Sequence, residues 1–144
     1  MKPVLTHIAL GVKDLDRTIA FYGKHVGLHV VHERSEGAHR VVWLGERERD
    51  VDFVLVLFQV AGSRPPGPTT LQHLGFAVGS REEVDAAAAA ARADGLLDEE
   101  PRYAGPVVGY YCIVKDPDGN SVEFSFGQPI SPRELSDASK HAPA

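Results

Sequence analysis

Glu123 sits in the middle of an apolar, strand-like run, between Val122 and Phe124. Side chains alternate across a strand, so this carboxylate faces either water or something positive. Two histidines hold matching places elsewhere. His7 leads into Ile8-Ala9-Leu10-Gly11-Val12, and His73 into Leu74-Gly75-Phe76-Ala77-Val78, an offset of 73 − 7 = 66. Histidine is a common metal ligand and the side chain that titrates near neutral pH, so a matched pair is a chemical signal. One histidine on a face of small residues is ordinarily a core group bonded to a backbone carbonyl. Two at equivalent positions, with an in-strand carboxylate, point to a shared site.

The elements around these residues repeat. In the first copy, residues 5–12 have strand period, with Ile8, Leu10 and Val12 on one face and His7, Ala9 and Gly11 on the other. Residues 14–22 fit a helical face, with Asp14 or Asp16 as N-cap and Gly27 as a stop. Strands are expected over 28–33, 39–44 and 51–60, the last apolar enough to be covered on both faces. Residues 62–70, rich in Pro and Gly, read as a linker. The second copy opens with the strand of His73. Ser80-Arg81-Glu82-Glu83 is a capping box, and the helix from Val84 to Ala93 ends at Gly95. A weak strand over 97–103 and a hairpin from Tyr110 to Phe126 close it. With Pro117-Asp118-Gly119 as the loop, Glu123 pairs with Ile113 and Ser125 with Tyr111. Tyr111 then shares the face of Glu123. A one-residue slip exchanges it for Tyr110 or Cys112.

The expected fold class is α+β: two βαβββ modules in tandem around one cavity. The domain spans 1–130, with module one about 4–60, a linker about 61–70, module two about 71–127 and a tail over 131–144.

Composition narrows the function. The chain has 144 residues, 43% hydrophobic and 24% charged, with a formal net charge of −5. That acidic balance disfavours nucleic acid or an anionic membrane as partner. No apolar run reaches the roughly 18 residues of a membrane helix. The N-terminal residues lack the pattern of a secretory signal. A single cysteine, Cys112, cannot form an intrachain disulfide, which suits a cytoplasmic protein.

The chain resembles the vicinal oxygen chelate superfamily of glyoxalase I, bleomycin resistance proteins and extradiol dioxygenases. The residues that carry the resemblance are HIALGVKDLDRTIAFY from His7, HLGFAV from His73 and DPDGNSVEF ending at Phe124. The resemblance implies a divalent metal held by His7, His73 and Glu123. Two imidazoles and one carboxylate leave open positions for a chelating substrate or oxygen. Fe(II) is expected first; Mn, Zn, Ni or Co would also fit. A fourth ligand, present in glyoxalase I, falls by the offset 123 − 66 = 57 on Leu57, a position that a small gap between the copies would move, with Leu55 and Gln59 on the same strand face. No acidic residue stands there.

The implied function is a metal-dependent, dioxygenase-like enzyme for a small substrate with adjacent oxygens. The alternatives are a glyoxalase-like lyase or isomerase, and a metal-free drug-binding protein of the bleomycin-resistance type. Tyr111 is the candidate catalytic side chain, as a hydrogen-bond partner of substrate or oxygen. A homodimer is expected. His25, His29, His32, His39 and His141 read as surface residues, and Cys112 as a small core residue. Arg40, Trp43 and Gln59 read as core or rim packing, with a pocket wall as the alternative.

Overall fold

A computed structural model describes residues 5, 7–46, 53–59 and 73–129, together with 134, 136, 137 and 140. The expected linker lies outside the described residues, as does most of the tail. The chain divides into two compact units, Met1–Thr69 and Thr70–Ala144.

The first unit contains β1 (His7–Val12), α1 (Leu15–Phe21), β2 (His29–Glu36), β3 (His39–Gly45) and β4 (Val54–Gln59). The second contains β5 (Leu74–Ala77), α2 (Arg81–Ala93), β6 (Leu97–Tyr103), β7 (Tyr110–Lys115) and β8 (Ser121–Phe126). Each is one βαβββ module, and the fold is α+β with the two modules in tandem. The sheets have the same order, β1-β4-β3-β2 and β5-β8-β7-β6. In each, the first strand lies parallel to the last and the remaining pairs are antiparallel.

The helices are capped as their sequences require. Asp14 accepts from the Arg17 backbone N–H at 3.0 Å and opens α1. After α1 the chain widens into a π-helical turn, Tyr22–Val26, and stops at Gly27 with φ +80°. Ser80 accepts from Glu83 N at 3.2 Å, while the Glu83 carboxylate accepts in return from the Gly79 N–H. Helix α2 buries Val84, Ala88 and Ala91 and packs on β6, β7 and β8. The Cys112 thiol points to the Val84 carbonyl at 3.8 Å. That contact marks Cys112, Val114, Val122 and Phe124 as the helix-side layer, all buried. Tyr111, Ile113, Glu123 and Ser125 therefore share the opposite face.

The β7–β8 register pairs Ile113 with Glu123 and Tyr111 with Ser125, as the turn chemistry predicts. The turn is built on Asp116, only 2% exposed. Its Oδ1 accepts from Asp118 N at 2.9 Å and Asn120 N at 2.8 Å, and its Oδ2 from Asn120 Nδ2 at 2.8 Å. One buried carboxylate thus fixes where β8 begins, and with it the face on which Glu123 emerges. Asp116→Ala leaves these donors without an acceptor. It should cost about 2–3 kcal/mol, read as a lower urea midpoint at unchanged slope.

Candidate functional site

In the second unit, β5 and β8 lie parallel with Gly75 opposite Glu123 and Leu74 opposite Val122. His73 immediately precedes β5 and shares the phase of Gly75, so its ring and the Glu123 carboxylate emerge on one face. His73 Nε2 stands 3.9 Å from Glu123 Oε2. That is too long for a hydrogen bond and short enough for one ion to bind both groups. The two side chains differ in exposure, 48% for His73 and 7% for Glu123. Glu123 Oε1 is buried with no hydrogen-bond partner. A Cβ at Gly75 would stand 3.9 Å from that oxygen, so the glycine leaves this side of the carboxylate open.

An oxygen in that state is unfavourable. A buried acceptor without a donor costs about 1–3 kcal/mol, and more when charged. The donor set, a carboxylate with one oxygen lacking a partner and the other 3.9 Å from an imidazole nitrogen, fits a divalent cation. Within either unit, among the described residues, no three His, Cys, Asp or Glu side chains gather at metal-binding distance. The second unit brings together two of the three expected ligands, and a complete set needs at least one more.

The third expected ligand, His7, belongs to the first unit. It borders a cavity of about 460 Å³ on the open face of that sheet. Ala9, Val54, Val56 and Phe58 form its apolar floor, with Trp43 and Arg34 at the far side. Ala9, Val56, Trp43 and His32 lie in one row across the four strands. The Trp43 ring has His32 at 4.9 Å between centroids and the Arg34 guanidinium 5.6 Å from its centroid. Trp43 Nε1 is buried without a hydrogen-bond partner.

This register corrects the position of the fourth ligand. Ala9 pairs with Val56 as Gly75 pairs with Glu123. The counterpart of Glu123 is therefore Val56, not Leu57. The spans differ by one residue, 56 − 7 = 49 against 123 − 73 = 50, and a one-residue slip moves a side chain to the other face. Leu57 is 0% exposed, in the layer opposite the cavity. The same alternation puts Val54, Val56 and Phe58 on the cavity face of β4, and with Leu55 4%, Val56 5% and Leu57 0% exposed the middle of the strand is buried on both faces, as its apolar sequence predicts. The conclusion about chemistry stands, because Val56 is no more a ligand than Leu57.

Tyr111 is 8% exposed and shares the face of Glu123. Its hydroxyl donates to Glu99 Oε2 at 3.2 Å, and Arg102 lies 5.1 Å from its ring centroid. Burial, then the Glu99 charge, raises its pKa above the usual tyrosine range, so it keeps its proton at neutral pH. Arg40 does not reach the cavity; it pairs with Asp16 at 3.0 Å and Glu33 at 2.9 Å. Arg34 escaped the sequence reading. Only the β2–β3 register, with a bulge between Val30 and His32, places it beside Trp43. An arginine one strand from a tryptophan was the available signal.

Burial pushes the Cys112 thiol up to about 11. Below pH 9 it should resist iodoacetamide in the folded protein and react fully after unfolding, as followed by mass spectrometry. Glu123→Met replaces the partnerless oxygen with an apolar group of similar size. In chelator-treated protein it should raise stability by about 1–3 kcal/mol by thermal or urea unfolding, and it should abolish any stabilisation by added divalent metal.

Comparison with known proteins places this geometry. The family model described as the Glyoxalase/Bleomycin resistance protein/Dioxygenase superfamily matches residues 4–124. An uncharacterized protein of Pseudomonas aeruginosa is 43% identical over 132 residues, covering 92% of this chain and 94% of its own. The lactoylglutathione lyase of Haemophilus influenzae is 30% identical over 126 residues, covering 83% and 90%. Among solved structures, a mutant of the fosfomycin resistance protein FosX from Listeria monocytogenes, complexed with Mn(II) and a dihydroxypropylphosphonic acid, shares the fold. It superposes with a TM-score of 0.69 at 22% identity, covering 92% of this chain and 98% of that one. With the family model spanning residues 4–124 and a 30% identical lactoylglutathione lyase covered over 90% of its length, this chain belongs to the glyoxalase/bleomycin resistance/dioxygenase superfamily.

Proposed function

We propose that the chain is a divalent-metal-dependent enzyme acting on a small substrate with two adjacent oxygens, dioxygenase-like in type, with His7, His73 and Glu123 as metal ligands. The observation that carries this reading is the Glu123 carboxylate, whose Oε1 is buried without a partner while its Oε2 stands 3.9 Å from His73 Nε2. A bound Fe(II), or Mn, Zn, Ni or Co in its place, would supply Lewis-acid or oxygen-activating chemistry.

The chain's own residues do the rest. The β5–β8 pairing fixes Glu123 on one face, and His73, the residue before β5, follows the same phase, which pre-positions the pair for a ligand. Val56, where a fourth ligand would stand, leaves that place apolar and without a second carboxylate to shuttle a proton. This favours a two-His-one-Glu enzyme over a four-ligand isomerase. Tyr111 holds a proton on the same face, its hydroxyl oriented by Glu99. It is the proposed donor to a developing negative oxygen.

A second reading, a glyoxalase-like lyase, draws support from the 30% identity to the Haemophilus influenzae lyase. The homodimer and the cytoplasmic compartment belong to the same proposal, the latter supported by the single cysteine. Among the described residues no helix is long and apolar enough to cross a membrane.

Oxygen uptake by Fe(II)-loaded protein on a panel of catechols tests the first reading, and hemithioacetal turnover by Ni(II)- or Zn(II)-loaded protein tests the second. Oxygen consumption with ring-cleaved product is expected. Hemithioacetal isomerisation alone would favour the lyase, and turnover of neither would count against both. Tyr111→Phe should lower the turnover rate about 100-fold with little change in stability, measured as kcat beside the unfolding midpoint.

A further inference from the structure

The open face of the second unit carries a polar pair at its rim, away from the His73–Glu123 end. Across β6, β7 and β8 the register sets Arg102 beside Tyr111 and Ser125, and Glu99 beside Ile113 and Glu123. Glu99, Arg102 and Tyr111 therefore lie on the face that holds Glu123. The Tyr111 hydroxyl donates to Glu99 Oε2 at 3.2 Å, and Arg102 Nη2 donates to the same oxygen at 3.2 Å. A phenol has one proton, and here it is committed to Glu99. What Tyr111 Oη offers to a molecule on the face is a lone pair. The two ends of the pair differ in their surroundings. Tyr111 is 8% exposed, whereas the Glu99 side chain is 45% exposed. One end meets the buried sheet face and the other meets water. The other titratable groups of this face, among the described residues, are Glu123, His73 and Lys115, the last paired with Asp98 at 3.3 Å. Arg102 is the charge in contact with the pair, and it holds the Glu99 carboxylate in place.

We propose that Tyr111 and Glu99 form a two-residue proton relay, which takes a proton from a substrate hydroxyl on the sheet face and delivers it to a carboxylate in contact with water. The relay rests on the proposed function for its substrate, a molecule with adjacent oxygens, and names the residue through which Tyr111 works. In the forward pass the substrate O–H proton moves to Tyr111 Oη as the Tyr111 proton moves along its hydrogen bond to Glu99 Oε2. The substrate oxygen keeps the electron pair, Tyr111 remains a neutral phenol and Glu99 ends as a carboxylic acid. The reverse pass gives a proton to a developing negative oxygen and restores the carboxylate. Tyr111 becomes a phenolate in neither direction, a form that burial and the Glu99 charge both oppose. Glu99 touches Tyr111 rather than substrate, so it is a positioning residue that also receives the proton.

Glu99→Gln separates relaying from holding, because the amide still accepts the Tyr111 hydrogen bond but cannot take up its proton. The variant is read first without turnover, in chelator-treated protein carrying tyrosine labelled with carbon-13 at Cζ. The chain has four tyrosines, and the Tyr111 signal is the one missing from Tyr111→Phe. Losing the negative neighbour should bring the ionisation of Tyr111 down by at least about half a pH unit. The second reading is kinetic, in whichever assay the metal-loaded wild type answers, catechol or hemithioacetal. Glu99→Gln should lower kcat about 100-fold, as far as Tyr111→Phe, with KM within about twofold of wild type. The double variant should be no slower than Tyr111→Phe alone. A Glu99→Gln protein with wild-type kcat, losses that multiply in the double variant, or an unchanged Tyr111 ionisation would each overturn the relay, and would leave metal uptake and wild-type turnover as they are. A metal-loaded wild type that turns over neither substrate would overturn the proposed function and the relay with it, while the shift in Tyr111 ionisation would still be seen.

Discussion

A carboxylate buried on a sheet face, with one oxygen left without a donor, is the constraint on which the second unit turns. Removing a charge from water costs several kcal/mol even after relaxation, and a protein tolerates it where a partner of opposite charge repays the cost. His73, half exposed and 3.9 Å away, makes no hydrogen bond to Glu123. The strands around the carboxylate are nonetheless fully committed to holding it in place. β8 sits between β5 and β7, so both backbone edges of Glu123 are tied into the sheet and it cannot swing toward solvent.

That commitment depends on a division of labour between the two faces of each sheet. In the second unit α2 covers one face with Val84, Ala88 and Ala91, against Cys112 and the buried valines of β7 and β8. This layer supplies the hydrophobic stabilisation, at about 25 cal/mol per Å² buried. The opposite face can then carry polar groups whose burial is unfavourable. The Asp116 turn links the two roles, since a register shift of one residue would send Glu123 into the helix layer and Phe124 into the site. The first unit repeats the arrangement with different contents. Its open face carries Ala9, Val56 and Phe58 as an apolar floor, with His7 on one side and Trp43 and Arg34 on the other. The two modules share a backbone plan, yet one supplies carboxylate and imidazole and the other mainly a binding surface.

Much of this was legible in the residues. The repeat was visible because His7 and His73 lead strands of the same alternation. The β7–β8 register was visible because Asp-Pro-Asp-Gly-Asn allows few turns, and Asp116 and Asn120 do pair across it. The capping residues announced both helices. What failed was arithmetic applied across a gap. A fixed offset of 66 assumed modules of equal length, while the structure spends one residue fewer between β1 and β4, so Val56 rather than Leu57 matches Glu123. Arg34 was hidden for a related reason. The bulge between Val30 and His32 resets the phase of β2, and only a solved pairing shows which of its residues meet Trp43. Local chemistry was readable; long-range register was not.

The most direct measurement is the metal content of protein purified without air under metal-replete conditions, by elemental analysis of the wild type beside Glu123→Ala. If the partnerless oxygen of Glu123 exists to meet a divalent cation, the wild type holds about one equivalent per chain and the variant holds almost none. A folded wild type without stoichiometric metal would contradict that role for Glu123, and so would a variant that keeps a full equivalent.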